Sequence, residues 1–173
     1  MSILLTTDRA YLRQFEATDA HLLDELDRDP LVRRYVDQPN PPEPGHGEMI
    51  LARWLPFYSE GPRDGYWAAH LRSEGEPFIG WFHFRPNRSD ADESEIGYRL
   101  HREFWGQGFA TEIGRALVQR GIQDFGVTRI VGHALTENLA SRRVLEKIGL
   151  SFEKNYTYDE RLPAVKYGWS ASE

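Results

Sequence analysis

The sequence predicts a mixed α/β fold with one central sheet of about six or seven strands flanked by about four helices. Three observations carry this. The runs "GYWAAHL", "PFIGWFHF" and "ESEIGYRL" have strand composition and follow one another through short polar turns, as in an antiparallel meander. A long helical stripe then stands between "ESEIGYRL" and "RIVGHAL", which makes a strand–helix–strand unit from Glu93 to Leu135. Two further aromatic-rich strands, "SFEKNYTY" and "AVKYGW", close the chain.

Taken in order, "AYLRQF" reads as the first strand. "TDAHLLDELDR" reads as the first helix, with Thr18 or Asp19 as its cap. "DQPNPPEPGHG", Asp37 to Gly47, is rich in Pro and Gly and must be a loop. A second helix is predicted from Glu48 to Phe57. "GYWAAHL" and "PFIGWFHF", joined by "RSEGE", form a hairpin, and Ile96, Tyr98 and Leu100 put one apolar face on the strand that follows. Ala110, Ile113, Gly114, Leu117, Val118, Gly121, Ile122 and Phe125 then follow helical spacing without a gap. Gly114 and Gly121 share that stripe, which predicts close packing on a sheet, and Gly126 is the expected stop. After "RIVGHAL", "ENLASRRVLEKIG" reads as a helix closed by Gly149.

The 173 residues fit one domain, 1–173, long enough to bury a sizeable core. The net charge of −6 argues against sequence-independent nucleic-acid binding, which needs a basic footprint. No apolar run reaches the length of a membrane span, and the first residues have no signal-peptide pattern. No cysteine is present, which excludes disulfides and thiolate metal sites and suits a cytoplasmic protein. The six histidines show no paired metal spacing, so no metal is expected. His70 and His83 lie in strand runs, where they either face a cleft or fill the core. The aromatics Trp54, Phe57, Tyr58, Trp67, Trp81, Phe82 and Phe84 mostly build the core, with some free to line a pocket.

The chemistry starts at "FWGQGFATE". Gly106 and Gly108 sit just before the long helix. Glycine lets a ligand approach the main chain, and a helix N-terminus offers unpaired N–H groups to an anion. A phosphate is the expected anion, although a tight turn for packing explains two glycines equally well. The stretch resembles the opening of a dinucleotide fingerprint, but Thr111 stands where the third glycine belongs; it is not a nucleotide P-loop, because no Lys follows.

Together "EIGYRLHREFWGQGFATE" and "TENLASRRVLEKIGL" resemble the Gcn5-related N-acetyltransferases (GNAT), within them the RimJ/RimL-like branch. The resemblance is specific from about Glu95 to Phe152. It implies a GNAT-like mixed sheet splayed at two parallel strands that hold coenzyme A. It further implies a pyrophosphate cradle at Gly106, Gln107, Gly108, Phe109, Ala110 and Thr111. Pantetheine would lie between Glu95–Leu100 and Arg129–Ala134, with oxyanion donors near Tyr98, Arg99 and Leu100. The family often has Gln or Arg where this chain has Trp105. Asn138 matches a residue that contacts pantetheine, and it is also a natural N-cap. Ser141 matches a position proposed to protonate the leaving thiolate, and capping or coenzyme contact explains it as well. Glu95 is the candidate base, or else a strand carboxylate paired with a basic neighbour. Tyr98 shares a face with Ile96 and Leu100 and reads as core.

The implied reaction moves acetyl from acetyl-CoA to a primary amine, a protein N-terminus or a small amine, by direct attack in a ternary complex. At pH 7 about a tenth of an α-amine is the free base, against fewer than about one in a thousand lysine amines, so a proton acceptor is needed. With no cysteine to carry the acetyl group, direct transfer is expected. Asp37, Glu43 and Glu48 around the Pro-rich loop either attract a cationic acceptor or are simply the charges of a solvated loop. No membrane partner is expected, and a homodimer is left open. Alternative readings are a non-catalytic coenzyme-A sensor of the same fold and a dinucleotide-binding enzyme.

Overall fold

The computed structural model describes residues 2–36, 42–61 and 64–171. Eight strands form one sheet in the order β1-β2-β3-β4-β5-β6-β8-β7. They are β1 (Ile3–Thr6), β2 (Ala10–Gln14), β3 (Gly65–Leu71), β4 (Phe78–Pro86), β5 (Ser94–Leu100), β6 (Arg129–Leu135), β7 (Ser151–Tyr158) and β8 (Leu162–Ser170). Every neighbouring pair is antiparallel except β5 and β6, which run parallel. The helices are α1 (Ala20–Arg28), α2 (His46–Trp54), α3 (Phe57–Glu60), α4 (Phe109–Gln123) and α5 (Leu139–Lys147).

The strand count exceeds the six or seven expected because β1 escaped notice. It has only four residues and pairs on one side only, so its alternation is too short to register. The helix expected over Glu48–Phe57 is two pieces. α2 starts at His46, behind Gly45 at φ 81, and Pro56 separates it from α3. α1 is preceded by a 3-10 turn, Ala17–Asp19. Asp19 does not cap α1 with its side chain; it accepts the Glu16 N–H at 2.8 Å and pairs with the buried Arg13.

The sheet divides the core. On one face Phe82, Phe84, Ile96 and Ile130 pack against Ile113 and Leu117 of α4 and Leu145 of α5. On the other, Tyr66, Ala68 and Trp81 pack against Leu23 and Leu26 of α1 and Leu51 of α2. The glycine stripe of α4 splits between two partners. A Cβ at Gly121 would lie 2.6 Å from the Phe84 ring on the sheet, but one at Gly114 would meet Ile148 beyond α5. Gly126 turns the chain at φ 63 after α4, and Gly149 at φ 101 after α5. No helix among the described residues is long and apolar enough to cross a membrane.

Candidate active site

The loop between β5 and α4 takes the backbone conformation that its glycines allow. Gly106 and Gly108 have φ of 72 and 86, values that side chains disfavour. The helical ladder begins with Glu112 N–H donating to Gly108 C=O at 2.9 Å. The amides of Phe109, Ala110 and Thr111 therefore stand ahead of the ladder, as at any helix start. Trp105, where a Gln or Arg was expected, braces the loop: its indole N–H donates to Leu100 C=O at 2.9 Å. A second brace comes from far away in sequence. Arg9, in the β1–β2 turn, lies over the Phe109 ring at 4.2 Å, donates to Gln107 C=O and pairs with Glu112 at 2.6 Å. Thr7 donates to the same carboxylate at 2.7 Å.

Beside this loop the sheet opens. β5 and β6 are in register only at Ser94↔Ile130 and Glu95↔Val131. From Ile96 onward no further pairing of β5 with β6 forms among the described residues. Tyr98, Arg99 and Leu100 lie in that stretch of β5.

On the α5 side of the gap, Asn138 caps α5 by accepting the Ser141 N–H at 3.1 Å. The Ser141 side chain lies near the Tyr98 hydroxyl. Burial raises the Tyr98 pKa, and the Ser141 contact only partly offsets this. Tyr98 is half-buried and stacks on Phe82, so it serves the core and the gap at once.

Glu95 points to the opposite, α1–α2 face. Its carboxylate lies 3.2 Å from Arg85 and 3.4 Å from His83. Burial alone would raise its pKa, but the contacts with His83 and Arg85 outweigh burial and bring it down to about 2. A carboxylate held so firmly ionised is a poor proton acceptor and a good fixed negative charge. His83 is buried and its pKa is lowered by burial, with its Nε2 facing the Glu95 carboxylate. His70 is buried on the same face, with Nδ1 2.8 Å from Glu76 C=O. The two histidines thus belong to the core of this face.

Two more carboxylates organise this face, and neither stood out in the sequence. Asp27 of α1 joins His46 of α2 at 2.8 Å to Arg99 of β5 at 2.5 Å, and Arg99 lies over Trp81. Glu93, just before β5, accepts hydrogen bonds from Asn87 and from Lys166 of β8, and pairs with Arg129 of β6. Burial opposes its charge, yet the Lys166 and Asn87 bonds lower its pKa. Of the acidic residues expected to attract a cation, Asp37 lies outside the described residues. Glu48 is exposed in the first turn of α2, and the Glu43 C=O accepts the His46 N–H.

These shifts set a pH dependence of stability. Glu93 and Glu95 have lower pKa values folded than unfolded, so their stabilisation is present above about pH 4.5 and lost as pH falls toward 2. His70, His83 and His133, lowered chiefly by burial, act in the same direction from about pH 6.5 downward. Urea melts at pH 7.5, 5.5 and 3.5 are expected to show a monotonic loss. Glu95→Gln should flatten the part below pH 4.5, where wild-type Glu95 accounts for about 3 kcal/mol.

A glycine loop at a helix start, next to two parallel strands that part, is the architecture of an acyl-group transferase fold. Solved acetyltransferases share it. RimL, the ribosomal L7/L12 alpha-N-protein acetyltransferase, in complex with coenzyme A matches with a TM-score of 0.83 at 17% identity, covering 98% of each chain. A GNAT-family acetyltransferase from Bacillus anthracis matches with a TM-score of 0.77 at 20% identity, again over 98% of each chain. The chain belongs to the acetyltransferase (GNAT) domain family, whose model matches residues 9–151. The fold shared with RimL accords with the RimJ/RimL-like resemblance of the sequence. Among relatives, the uncharacterized N-acetyltransferase YoaA of Bacillus subtilis (strain 168) is 30% identical over 92% of this chain and 91% of its own. The FsC-acetyl coenzyme A-N(2)-transacetylase of Aspergillus fumigatus is 29% identical over 83% of this chain. The match spans 64% of that longer relative.

Proposed function

We propose that the protein is an acetyl-CoA-dependent N-acetyltransferase that acts on a primary amine within a ternary complex. The observation that carries this is the gap between β5 and β6, which opens directly beside the left-handed glycines and free amides at the start of α4. The residues present fit the coenzyme. No Cβ obstructs Gly106 or Gly108, and the helix start offers N–H donors to a pyrophosphate. RimL, bound to coenzyme A, supports the same use of this fold, and its acceptor is a protein α-amine. The Aspergillus relative is by its name an N(2)-transacetylase.

In this reading acetyl-CoA supplies the acetyl group as a thioester. The loop from Gly106 to Thr111 holds its phosphates. The free edge of β5 at Tyr98 to Leu100 donates N–H groups to the thioester oxygen. Ser141, in contact with Tyr98, stands on the α5 side to protonate the departing sulfur, and Asn138 fixes the turn that positions Ser141. Glu95 stands on the other face, where the amine arrives; as a fixed negative charge it draws in the ammonium form.

The test is a panel of amines, with N-terminal peptides and small amines included, followed by release of coenzyme-A thiol. Initial-rate plots should intersect, and intact mass should show no acetyl-enzyme without acceptor. Parallel plots with an adduct that added amine removes would overturn direct transfer. Coenzyme-A binding with no turnover of any amine would make the protein a coenzyme-A sensor instead.

A further inference from the structure

Glu95, pinned by Arg85 and His83, leaves the amine without an effective proton acceptor. A second group faces the same opening. Val131 of β6 is in register with Glu95. Side chains alternate along a strand, so His133 lies on the α1–α2 face with Glu95 and Val131. The opposite face of β6 is closed: a Cβ on Gly132 would meet Leu145 at 2.5 Å. His133 is thus the first side chain of β6 on that face beyond the point where β5 and β6 part. Its ring is held from β7, where the Tyr156 hydroxyl lies 2.9 Å from Nδ1. The two rings meet edge to face at 5.5 Å. With Nδ1 engaged by Tyr156, Nε2 is the other proton site of the ring.

Resting on the acetyltransferase reading, we propose that His133, oriented by Tyr156, is the proton acceptor for the incoming amine. Nδ1–H donates to the Tyr156 oxygen, which leaves the Nε2 lone pair for the substrate. The ammonium form loses one proton to Nε2, which passes it to solvent. The free amine then attacks the thioester carbon, so that a C–N bond forms and the C–S bond breaks. The remaining surplus proton on nitrogen goes to Nε2 and from there to solvent, while the Ser141 hydroxyl gives its proton to the thiolate and is reprotonated from solvent. The products are the acetylated amine and coenzyme-A thiol.

The charges around the ring suit a neutral imidazole at pH 7. Burial lowers the His133 pKa, and Lys166 of β8 and His83 of β4 push the same way. Glu95 of β5 and Glu93 oppose them without prevailing. The Tyr156 pKa is pushed up to about 12, first by burial and then by Glu95, so its hydroxyl stays protonated throughout the working range.

The test compares His133→Gln and Tyr156→Phe with wild type, using any amine that wild type acetylates. For His133→Gln, kcat should fall about 10²-fold while KM for acetyl-CoA holds within twofold. The acidic limb of the wild-type kcat profile, below pH 6.5, should vanish in this variant. Tyr156→Phe should keep that limb, shifted, with a several-fold loss. Nitrogen-15 NMR of the wild-type imidazoles, without substrate, should show His133 neutral at pH 7, titrating below 6.5, and perturbed by Tyr156→Phe. A folded His133→Gln protein within threefold of wild-type kcat would sink the proposal and leave the acetyltransferase reading intact. A His133 that is cationic at pH 7 would do the same. Wild type that turns over no amine would sink both.

Discussion

Gly108→Val is expected to weaken coenzyme-A binding at least tenfold while the protein stays folded. Gly108 has φ 86, a conformation that a β-branched residue adopts only under strain of about 1–3 kcal/mol. Relieving that strain rotates the peptide and swings the Phe109 amide out of the cradle. One tenfold step in affinity corresponds to about 1.4 kcal/mol, so the strain alone accounts for about the predicted loss. The fold survives because the new Cβ meets only Arg9 Nη2, at 3.5 Å. Gly75, at φ 77 in the β3–β4 turn, is the matching control, and a Cβ there meets nothing within 4 Å. Gly75→Val should cost similar strain and leave coenzyme-A affinity unchanged. Titration calorimetry with coenzyme A decides the matter. Equal affinity in wild type and folded Gly108→Val would remove the loop from the site.

Asp27→Ala is expected to give a large loss of stability. The Asp27 side chain is 2% exposed and carries both Arg99 and His46. Removing it leaves the Arg99 guanidinium without its counter-ion beside Trp81, at a cost of about 3 kcal/mol. For a chain of this length that lowers Tm by about 6–12 °C. The loss should reach function as well, because α1 and α2 are joined to β5 through this residue. Acceptor KM should rise more than KM for acetyl-CoA, since the start of α4, where the proposed cradle lies, packs on the opposite face of the sheet. Calorimetric melting and two-substrate kinetics measure both. A Tm within 2 °C of wild type would show that the cluster is too well solvated to matter.

Much of the unit from β5 through α5 was legible before any fold was known. Two glycines, a helical stripe and a second capped helix lie within one stretch of chain, and local rules suffice to place them. Asn138 is the clearest case: its N-cap geometry follows from its own residue type and the helix after it. The acceptor side was not legible. Trp105 reads as a departure from pattern until Leu100 C=O is found beside its indole. Glu95 reads as a base until Arg85 appears across the β4–β5 register and fixes its charge.

By itself the sequence determined the α/β class, the strand–helix–strand unit, the glycine loop and the family resemblance. All of these are written in residues within a few turns or one strand of each other, where periodicity and caps act. Only the tertiary structure decided what each polar side chain does. Arg9 meets Glu112 across 103 residues and Arg99 meets Asp27 across 72. His133 shares a sheet face with Glu95 because Val131, two residues before it, is in register with Glu95. Electrostatics and strand register depend on distance in space, and a local pattern in the chain carries no record of which distant residue arrives beside it.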